Sequence, residues 1–266
     1  MINTKAMKKI ELTVIFVVSL MFPAIGQGAA AREIMQKSID VSRVKGIETI
    51  TELRIMDAKG HERDRKIAMA SRREGDMDKR IIKFLEPADV KGTGLLIFDY
   101  SGKDDEMWLY MPAIRKTRKI VSSEKGKNFM GSEFSNADMA APNLDDFTLE
   151  SKGEAEADGT ACYKILMVPK SDKIAREYGF SKKMVWIGKK DYVMRRAEYF
   201  DQDGTLQKVL TATDVQPVDP QHTKYLAREM TIVNKENGRS SSFKMTRVQY
   251  NPDIDPNLFT LSYLER

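Results

Sequence analysis

Cysteine and histidine are nearly absent from this 266-residue chain, which contains one cysteine, Cys162, and two histidines, His61 and His222. A single cysteine excludes an intramolecular disulfide, a thiolate zinc site and a CxxC redox motif. The two histidines are far apart in sequence and have no neighbouring ligand pattern, so hydrolytic and metal-dependent chemistry lacks its usual residues. We therefore expect a protein that is not an enzyme and that has no catalytic residues, no metal site and no cofactor.

Other signatures of catalysis are also missing. The sequence has no glycine-rich phosphate loop and no nucleophile elbow. The carboxylate pairs Asp104-Asp105 and Asp145-Asp146 are adjacent in sequence, so their side chains point apart on a strand. The segment 201–204 (DQDG) resembles the tail of a calcium loop, but no glutamate closes it. These segments predict turns.

No hydrophobic run is long enough for a comfortable membrane span. The longest run, residues 12–22, follows three lysines and precedes the small residues 29–31 (AAA), the pattern of a secretory signal peptide. No cysteine ends this run, so a lipid-anchored form is not encoded. We expect residues 1–31 to be a cleaved signal peptide and the mature protein to be periplasmic; an uncleaved N-terminal anchor is the alternative.

Positive charge exceeds negative charge slightly, with 44 Lys and Arg against 39 Asp and Glu. In an exported protein this balance favours anionic lipid head groups or acidic proteins as partners, rather than nucleic acid. The densest basic cluster follows residues 111–113 and comprises Arg115, Lys116, Arg118 and Lys119. We expect these four residues to contact a partner or a lipid head group; a solvated sheet edge is the alternative.

Secondary-structure patterns change after residue 46. Residues 32–45 predict an amphipathic helix that ends at Gly46. The rest alternates between β-branched or apolar runs and short turn signals, of which Asp158-Gly159 and Asn237-Gly238 are examples. About eleven strands with hairpin-length connections predict a meandering antiparallel sheet. No linker and no repeat divides the chain, so residues 32–266 are predicted to form one domain.

Several predicted strands are apolar on both faces, notably residues 95–98, 107–111 and 161–168. A meandering antiparallel sheet normally has one solvent-exposed face. In these strands the second apolar face must therefore be covered by another sheet, a helix or a bound apolar ligand. The 16 methionines suit a surface that repacks around variable apolar partners, although methionine also fills ordinary cores.

The segment 122–143, here called the lid segment, interrupts the meander. It carries four large apolar side chains, Phe129, Met130, Phe134 and Met139, and Ser135 with Asp138 predicts the start of a short helix. A long loop with this composition is typical of a lid over an apolar site. A loop docked permanently onto the core is the alternative.

Three segments, residues 84–93 (FLEPADVKGT), 108–113 (WLYMPA) and 129–135 (FMGSEFS), occur behind a signal peptide and a leading helix. Together with residues 254–259 (IDPNLF), their order and spacing resemble a divergent branch of the LolA-like outer-membrane lipoprotein-sorting proteins, in the LolA/LolB superfamily. The resemblance extends over essentially the whole mature chain.

The resemblance implies a mainly β fold: a half-open antiparallel β-barrel of about eleven strands with an N-terminal helix and a short helical lid. It also implies a monomeric periplasmic carrier of acylated lipoprotein or lipid, with an inner-membrane transport permease and an outer-membrane acceptor as partners. The classical carrier latches its lid through an arginine, which the sequence does not assign here. We expect these residues to contact acyl chains: Leu95, Ile97, Trp108, Tyr110, Phe129, Met130, Phe134 and Met139.

A second function fits the same apolar surfaces. A periplasmic adaptor protein could use a hydrophobic groove to bind a protein partner of a transport permease. The sequence separates this possibility poorly from lipid carriage.

Overall fold

A computed structural model describes residues 24–101 and 103–266 of the chain. The hydrophobic run 12–22 lies outside the described residues, so the predicted signal peptide remains a prediction. Helix α1 (Ala24–Ser42) continues through the predicted cleavage site, and Ala31 on this helix is fully buried. Among the described residues, no helix is both long and apolar enough to cross a membrane.

One antiparallel sheet of thirteen strands forms most of the molecule. Along the sheet the order is β6-β5-β4-β3-β2-β1-β13-β12-β11-β10-β9-β8-β7, which leaves β6 and β7 as the two edges. The strands are β1 (Gly46–Met56), β2 (Glu62–Glu74), β3 (Met77–Glu86), β4 (Gly94–Tyr100), β5 (Glu106–Met111), β6 (Lys116–Ile120), β7 (Phe147–Ala157), β8 (Thr160–Pro169), β9 (Lys182–Gly188), β10 (Met194–Phe200), β11 (Leu206–Pro217), β12 (Tyr225–Asn234) and β13 (Ser240–Tyr250). The predicted half-open antiparallel barrel is therefore confirmed, with two more strands than expected.

The concave face of the sheet carries the main core. On β1, Leu53 and Ile55 are buried in this core whereas Glu52 and Arg54, which alternate with them, are exposed, as strand geometry requires. Helix α1 packs its residues Met35 and Ile39 against the same core. Full burial of each large aliphatic side chain contributes about 1.5–3 kcal/mol, so this face provides the principal driving force for folding.

Gly46 has a different role from the predicted helix cap. Helix α1 already ends at Ser42, and Gly46 is the first residue of β1. A Cβ atom at this position would lie only 1.9 Å from the backbone oxygen of Asn251. The glycine is required because the chain after β13 passes directly over the start of β1.

A smaller core covers part of the convex face. Leu96 of β4 packs there with Phe259 and with Leu264 of helix α3 (Leu261–Leu264), while its neighbours Leu95 and Ile97 face the main core. The C-terminal segment thus accounts for the second apolar face of β4 and β5. A Cβ atom on Gly94 would lie 2.6 Å from the Leu264 side chain, which shows how closely α3 approaches the sheet.

The lid segment contains no α-helix. The predicted short helix is a single 3-10 turn, Ala137–Met139, preceded by the expected reciprocal bonds between Ser135 and Asp138. An unpredicted helix, α2 (Asp172–Tyr178), begins with a Ser171 cap and ends at Gly179, where φ is +79°.

Candidate functional site

A cavity of about 380 Å³ lies between the concave face of the sheet, the C-terminal half of α1 and the lid segment. Its walls are mainly apolar and include seven methionines: Met35, Met69, Met139, Met167, Met194, Met230 and Met245. Unbranched thioether side chains adapt their shape to different apolar ligands. Seven of the 16 methionines of the sequence therefore lie around one cavity.

The lid segment is packed firmly onto the concave face. Phe129 and Phe134 are each 1% exposed, and both belong to the main core. The Phe129 ring lies 5.9 Å from that of Phe84, and the Phe134 ring lies 4.6 Å from that of Phe243, measured between centroids. The structure therefore shows the lid segment docked on the concave face beside the cavity.

Three arginines hold the backbone of the lid segment. Arg65 Nη1 donates to the Met130 carbonyl oxygen at 2.5 Å, and Arg239 Nη2 donates to Gly131 O at 3.2 Å. Arg80 donates to Met139 O. Sequence reasoning assigned none of these residues, because Arg65 and Arg80 each lie in a charged stretch of their strand, where nothing local distinguishes them from solvated side chains.

A buried carboxylate within the lid segment, that of Glu133, also attaches this segment to the sheet. Glu133 is 1% exposed, and its Oε2 accepts a hydrogen bond from Asn234 Nδ2 at 3.0 Å. Arg239 Nε lies 3.0 Å from Glu133 Oε1 without hydrogen-bond alignment, and Lys208 Nζ lies 3.7 Å from Oε2. These two cations compensate a charge that would otherwise be costly to bury.

One end of the cavity is lined by a network of ionic groups. Arg43 Nε lies 2.8 Å from Asp78 Oδ2, and Asp99 Oδ2 accepts a hydrogen bond from the Ala141 amide at 3.1 Å. Burial lowers the pKa of Arg80, although Asp99 and Asp78 oppose this effect. Burial also raises the pKa of Asp78. The network links α1, the sheet and the lid segment.

The other end of the cavity carries Lys183 and Tyr199 on adjacent strands. The Tyr199 hydroxyl donates to Asp138 Oδ1 of the lid segment at 2.9 Å, and Lys183 Nζ lies 4.2 Å from the centre of the Tyr199 ring. Burial raises the pKa of Tyr199, and Asp138 adds to the shift. Burial lowers the pKa of Lys183, whereas the charge of Asp138 raises it.

The eight predicted acyl-contact residues do not form one group. Phe134 and Met139 line the cavity, and Phe129 and Met130 belong to the docked lid segment. Leu95 and Ile97 lie in the main core on the concave side.

Trp108 and Tyr110 pack on the convex face with the C-terminal segment, so the structure separates them from the other six. The physical reason is alternation along β5, which turns Met107 and Leu109 towards the main core instead.

The four predicted basic residues are exposed along the edge strand β6 or immediately before it. Arg118 pairs with Glu124 at 2.6 Å and Lys119 pairs with Glu106 at 3.3 Å. Two of the exposed large hydrophobic side chains flank the same strand, Ile114 at 55% and Val121 at 52% exposure. The edge thus combines exposed cations with exposed apolar groups.

No group of three or more His, Cys, Asp and Glu side chains is placed to hold a metal ion within residues 24–101 and 103–266. Cys162 is buried among Trp186 and Ala157 on the convex side of the sheet, and burial raises the pKa of its thiol.

Comparison with solved structures finds the same fold in three bacterial proteins. A domain described as an outer membrane lipoprotein-sorting protein, from Vibrio parahaemolyticus, has 24% identity and a TM-score of 0.81, covering 90% of this chain and 100% of that chain. A DUF1329 family protein from Desulfovibrio piger has 25% identity and a TM-score of 0.81, covering 90% and 99%. A LolA superfamily protein from Nitrosomonas europaea has 16% identity and a TM-score of 0.67, covering 88% and 98%.

The open barrel and its docked lid segment therefore define a protein of the LolA-like fold, shared with lipoprotein-sorting domains and DUF1329 proteins. A family model described as "uncharacterized protein" matches residues 76–266, and the chain belongs to that family. No match is found among curated proteins.

Proposed function

We propose that this protein is a periplasmic carrier that binds an acyl chain of a lipoprotein or lipid in its cavity and ferries it towards the outer membrane. The observation that carries the proposal is the methionine-lined cavity of about 380 Å³ beside the docked lid segment. This volume lies in the lower part of the range of about 300–1,000 Å³ typical of small-molecule sites. Burial of an acyl chain contributes about 0.8 kcal/mol per methylene, so one partly buried chain provides substantial affinity.

Release of cargo requires the lid segment to move away from the sheet. The bonds from Arg65, Arg80 and Arg239 to lid carbonyls oppose this movement. Hydrogen bonds from charged donors contribute about 1.5–3 kcal/mol each. Three such bonds make opening of the lid segment rare in the carrier alone. The free energy for opening therefore has to come from contact with an acceptor.

The residues proposed to contact cargo differ from the predicted set. Phe134 and Met139 contact the chain directly because they line the cavity. Phe129 and Met130 move with the lid segment. Trp108 and Tyr110 have no part in the proposal because they pack on the convex face.

The basic edge formed by Arg115, Lys116, Arg118 and Lys119 is proposed to contact anionic lipid head groups at the donor or acceptor membrane. Charge complementarity supports this partner, and the exposed Ile114 and Val121 supply apolar groups beside the charges.

Native mass spectrometry of protein purified from the periplasm without detergent tests the carrier. We expect discrete added masses that organic extraction releases as lipid or acylated peptide. The variant Ala227→Trp places a large side chain at a half-buried position of the cavity wall and should reduce the bound fraction several-fold. Ala161→Trp makes the same change at an exposed strand position and serves as the matched control.

A clean unliganded mass, with no uptake from vesicles or lipopeptides, would contradict lipid carriage. A stable stoichiometric complex with a protein, lost in Ala227→Trp and kept in Ala161→Trp, would instead support the adaptor function.

A further inference from the structure

The cavity is lined by six charged side chains: Arg43, Asp78, Arg80, Asp99, Asp138 and Lys183. Five of them have partners within the described structure. Arg43 pairs with Asp78, Arg80 donates to Met139 O, and Asp99 accepts from Ala141. The carboxylate of Asp138 is occupied by Tyr199 on one oxygen and by the Ser135 amide and hydroxyl on the other.

Lys183 is the exception among these six. Its ammonium group makes no hydrogen bond or ion pair with any residue in the described ranges. Its Nζ lies 4.2 Å from the centre of the Tyr199 ring, and the charge of Asp138, which opposes the lowering of its pKa by burial, acts on it from beyond ion-pair distance. An ammonium group has three donors, and a cation–π contact of about 0.5–2 kcal/mol does not replace acceptors. Lys183 therefore presents unused donors to the cavity.

The register of the sheet explains why Lys183 points into the cavity. Lys183 lies opposite Met167 on β8 and opposite Tyr199 on β10, and both of these residues also line the cavity. Further aromatic lining residues, Phe147, Tyr178 and Phe180, pack together at this end. A single cation is thus set among aromatic and thioether groups, with Asp138 as a carboxylate whose oxygens are already occupied by Tyr199 and Ser135.

We infer that the cavity takes a single-chain amphiphile with an anionic oxygen head group, a carboxylate or a phosphate monoester, and that Lys183 binds that head group. This inference rests on the carrier function proposed above and names the class of its ligand. An anionic acceptor makes shorter and stronger hydrogen bonds to an ammonium group than a neutral ester carbonyl does. The volume of about 380 Å³ suits one chain and leaves little room for several.

The inference is tested by displacement of a fluorescent long-chain polyene fatty acid from the delipidated full-length mature protein. Oleate, dodecyl phosphate and methyl oleate are the competitors, and the protein is compared with its Lys183→Met, Lys183→Arg and Lys182→Met variants. Methionine is unbranched, is one atom shorter than lysine and carries no charge, and it matches the other walls of the cavity. Lys182 precedes Lys183 on β9, faces the other side of the sheet and contacts Phe200, so Lys182→Met is the matched control.

We expect Lys183→Met to weaken the binding of oleate at least about tenfold and to leave methyl oleate unchanged, whereas Lys183→Arg and Lys182→Met bind oleate as the unmodified protein does. The competitor that displaces the fluorescent fatty acid at the lower concentration from the unmodified protein, oleate or dodecyl phosphate, identifies the preferred head group. Thermal unfolding of each variant confirms that it is folded.

Equal binding of oleate by Lys183→Met and by the unmodified protein, with methyl oleate also bound, would overturn the inference and leave the carrier intact. Binding of neither oleate nor dodecyl phosphate by an unmodified protein that still takes up phospholipid or lipopeptide would also overturn the inference and leave the carrier intact. No uptake of any of these ligands would overturn the carrier proposal itself.

Discussion

At the scale of single residues, the most informative side chains are charged groups placed where water is scarce. Glu133 and Lys183 are both largely removed from solvent, but their surroundings differ. Glu133 has two cations and an amide within reach, which satisfies its charge and fixes the lid segment. Lys183 has no such partners among the described residues. The first arrangement is structural, and the second leaves a site for a ligand.

Asp105 gives a residue-scale prediction of pH dependence. Burial raises its pKa to about 7, with a further contribution from Asp99 and an opposing one from Lys125 of the lid segment. The folded protein binds this proton more tightly than the unfolded chain does. The contribution of Asp105 to the free energy of unfolding is therefore most favourable below about pH 4. It falls as the pH rises through the window from 3.8 to about 7.

Asp105→Asn, which mimics the protonated group, should therefore be more stable than the unmodified protein at pH 8 and similar to it near pH 4. The gain at pH 8 should be about 2 kcal/mol after allowance for partial exposure. Urea unfolding at both pH values measures it, with the exposed Asp104→Asn as control. A constant difference across the pH range would refute the assignment.

Residue patterns predicted which positions are buried better than which face they occupy. Leu95, Trp108 and Phe134 are all at least half-buried, as their apolar character indicates. Trp108 nevertheless packs on the convex face, because a C-terminal helix of four residues covers the sheet there. Nothing in the local sequence of β5 indicates that distant cover, so the cavity could not be assigned from β5 alone.

At the scale of elements, the lid segment depends on contacts with strands that precede it and follow it. Arg65 on β2 and Arg80 on β3 hold two of its carbonyls, and Arg239 before β13 holds a third. The turn signals and the Ser135–Asp138 cap were predictable because they are local. The arginine contacts span more than fifty residues and were not.

Loss of one arginine should loosen the lid segment without unfolding the sheet. Arg65→Met removes the bond to Met130 O, so we expect amide hydrogen exchange in residues 125–139 to become about tenfold faster, as the loss of a charged hydrogen bond implies. Exchange in β9 and β10 should be unchanged. Arg63→Met, at an exposed position of the same strand, is the control; equal acceleration in both variants would argue against a latch.

Strands β2 and β7 and the short helices α2 and α3 escaped prediction, the strands because of their charge and the helices because of their length. Strands β2 and β7 are rich in charged residues, and their pairing on the sheet is decided by neighbouring strands. Helix α2 has only seven residues, too few for a clear periodic signal.

At the scale of the whole molecule, the distribution of charge gives the sheet two unlike edges. The β6 edge is basic and carries exposed apolar groups, whereas β7 at the opposite edge carries acidic side chains such as Glu150 and Glu154. In the proposed carrier, an anionic membrane surface therefore attracts the β6 edge more strongly than the β7 edge.

Neutralisation of that edge should weaken membrane binding. Arg115→Gln with Lys116→Gln removes two exposed cations that form no ion pair within the described chain. At about 1 kcal/mol per charge, binding to phosphatidylglycerol vesicles should fall about thirtyfold, and phosphatidylcholine vesicles should bind neither protein appreciably.

Vesicle co-sedimentation measures this change, with Lys59→Gln and Arg63→Gln at the β1–β2 hairpin as a double control of equal charge. A similar loss in the control would show that only net charge matters.

The order of strands in the sheet also has a consequence for the assembly of the chain. Strands β1 to β6 are sequential neighbours, and so are β7 to β13, whereas β1 meets β13 with Ile47 opposite Tyr250. Pairings between distant residues are slow to form. Two half-sheets can therefore form independently during synthesis, and the pairing of β13 with β1 is the seam that joins them. Until the seam closes, the lid segment is only the tether between the halves, and the cavity does not exist.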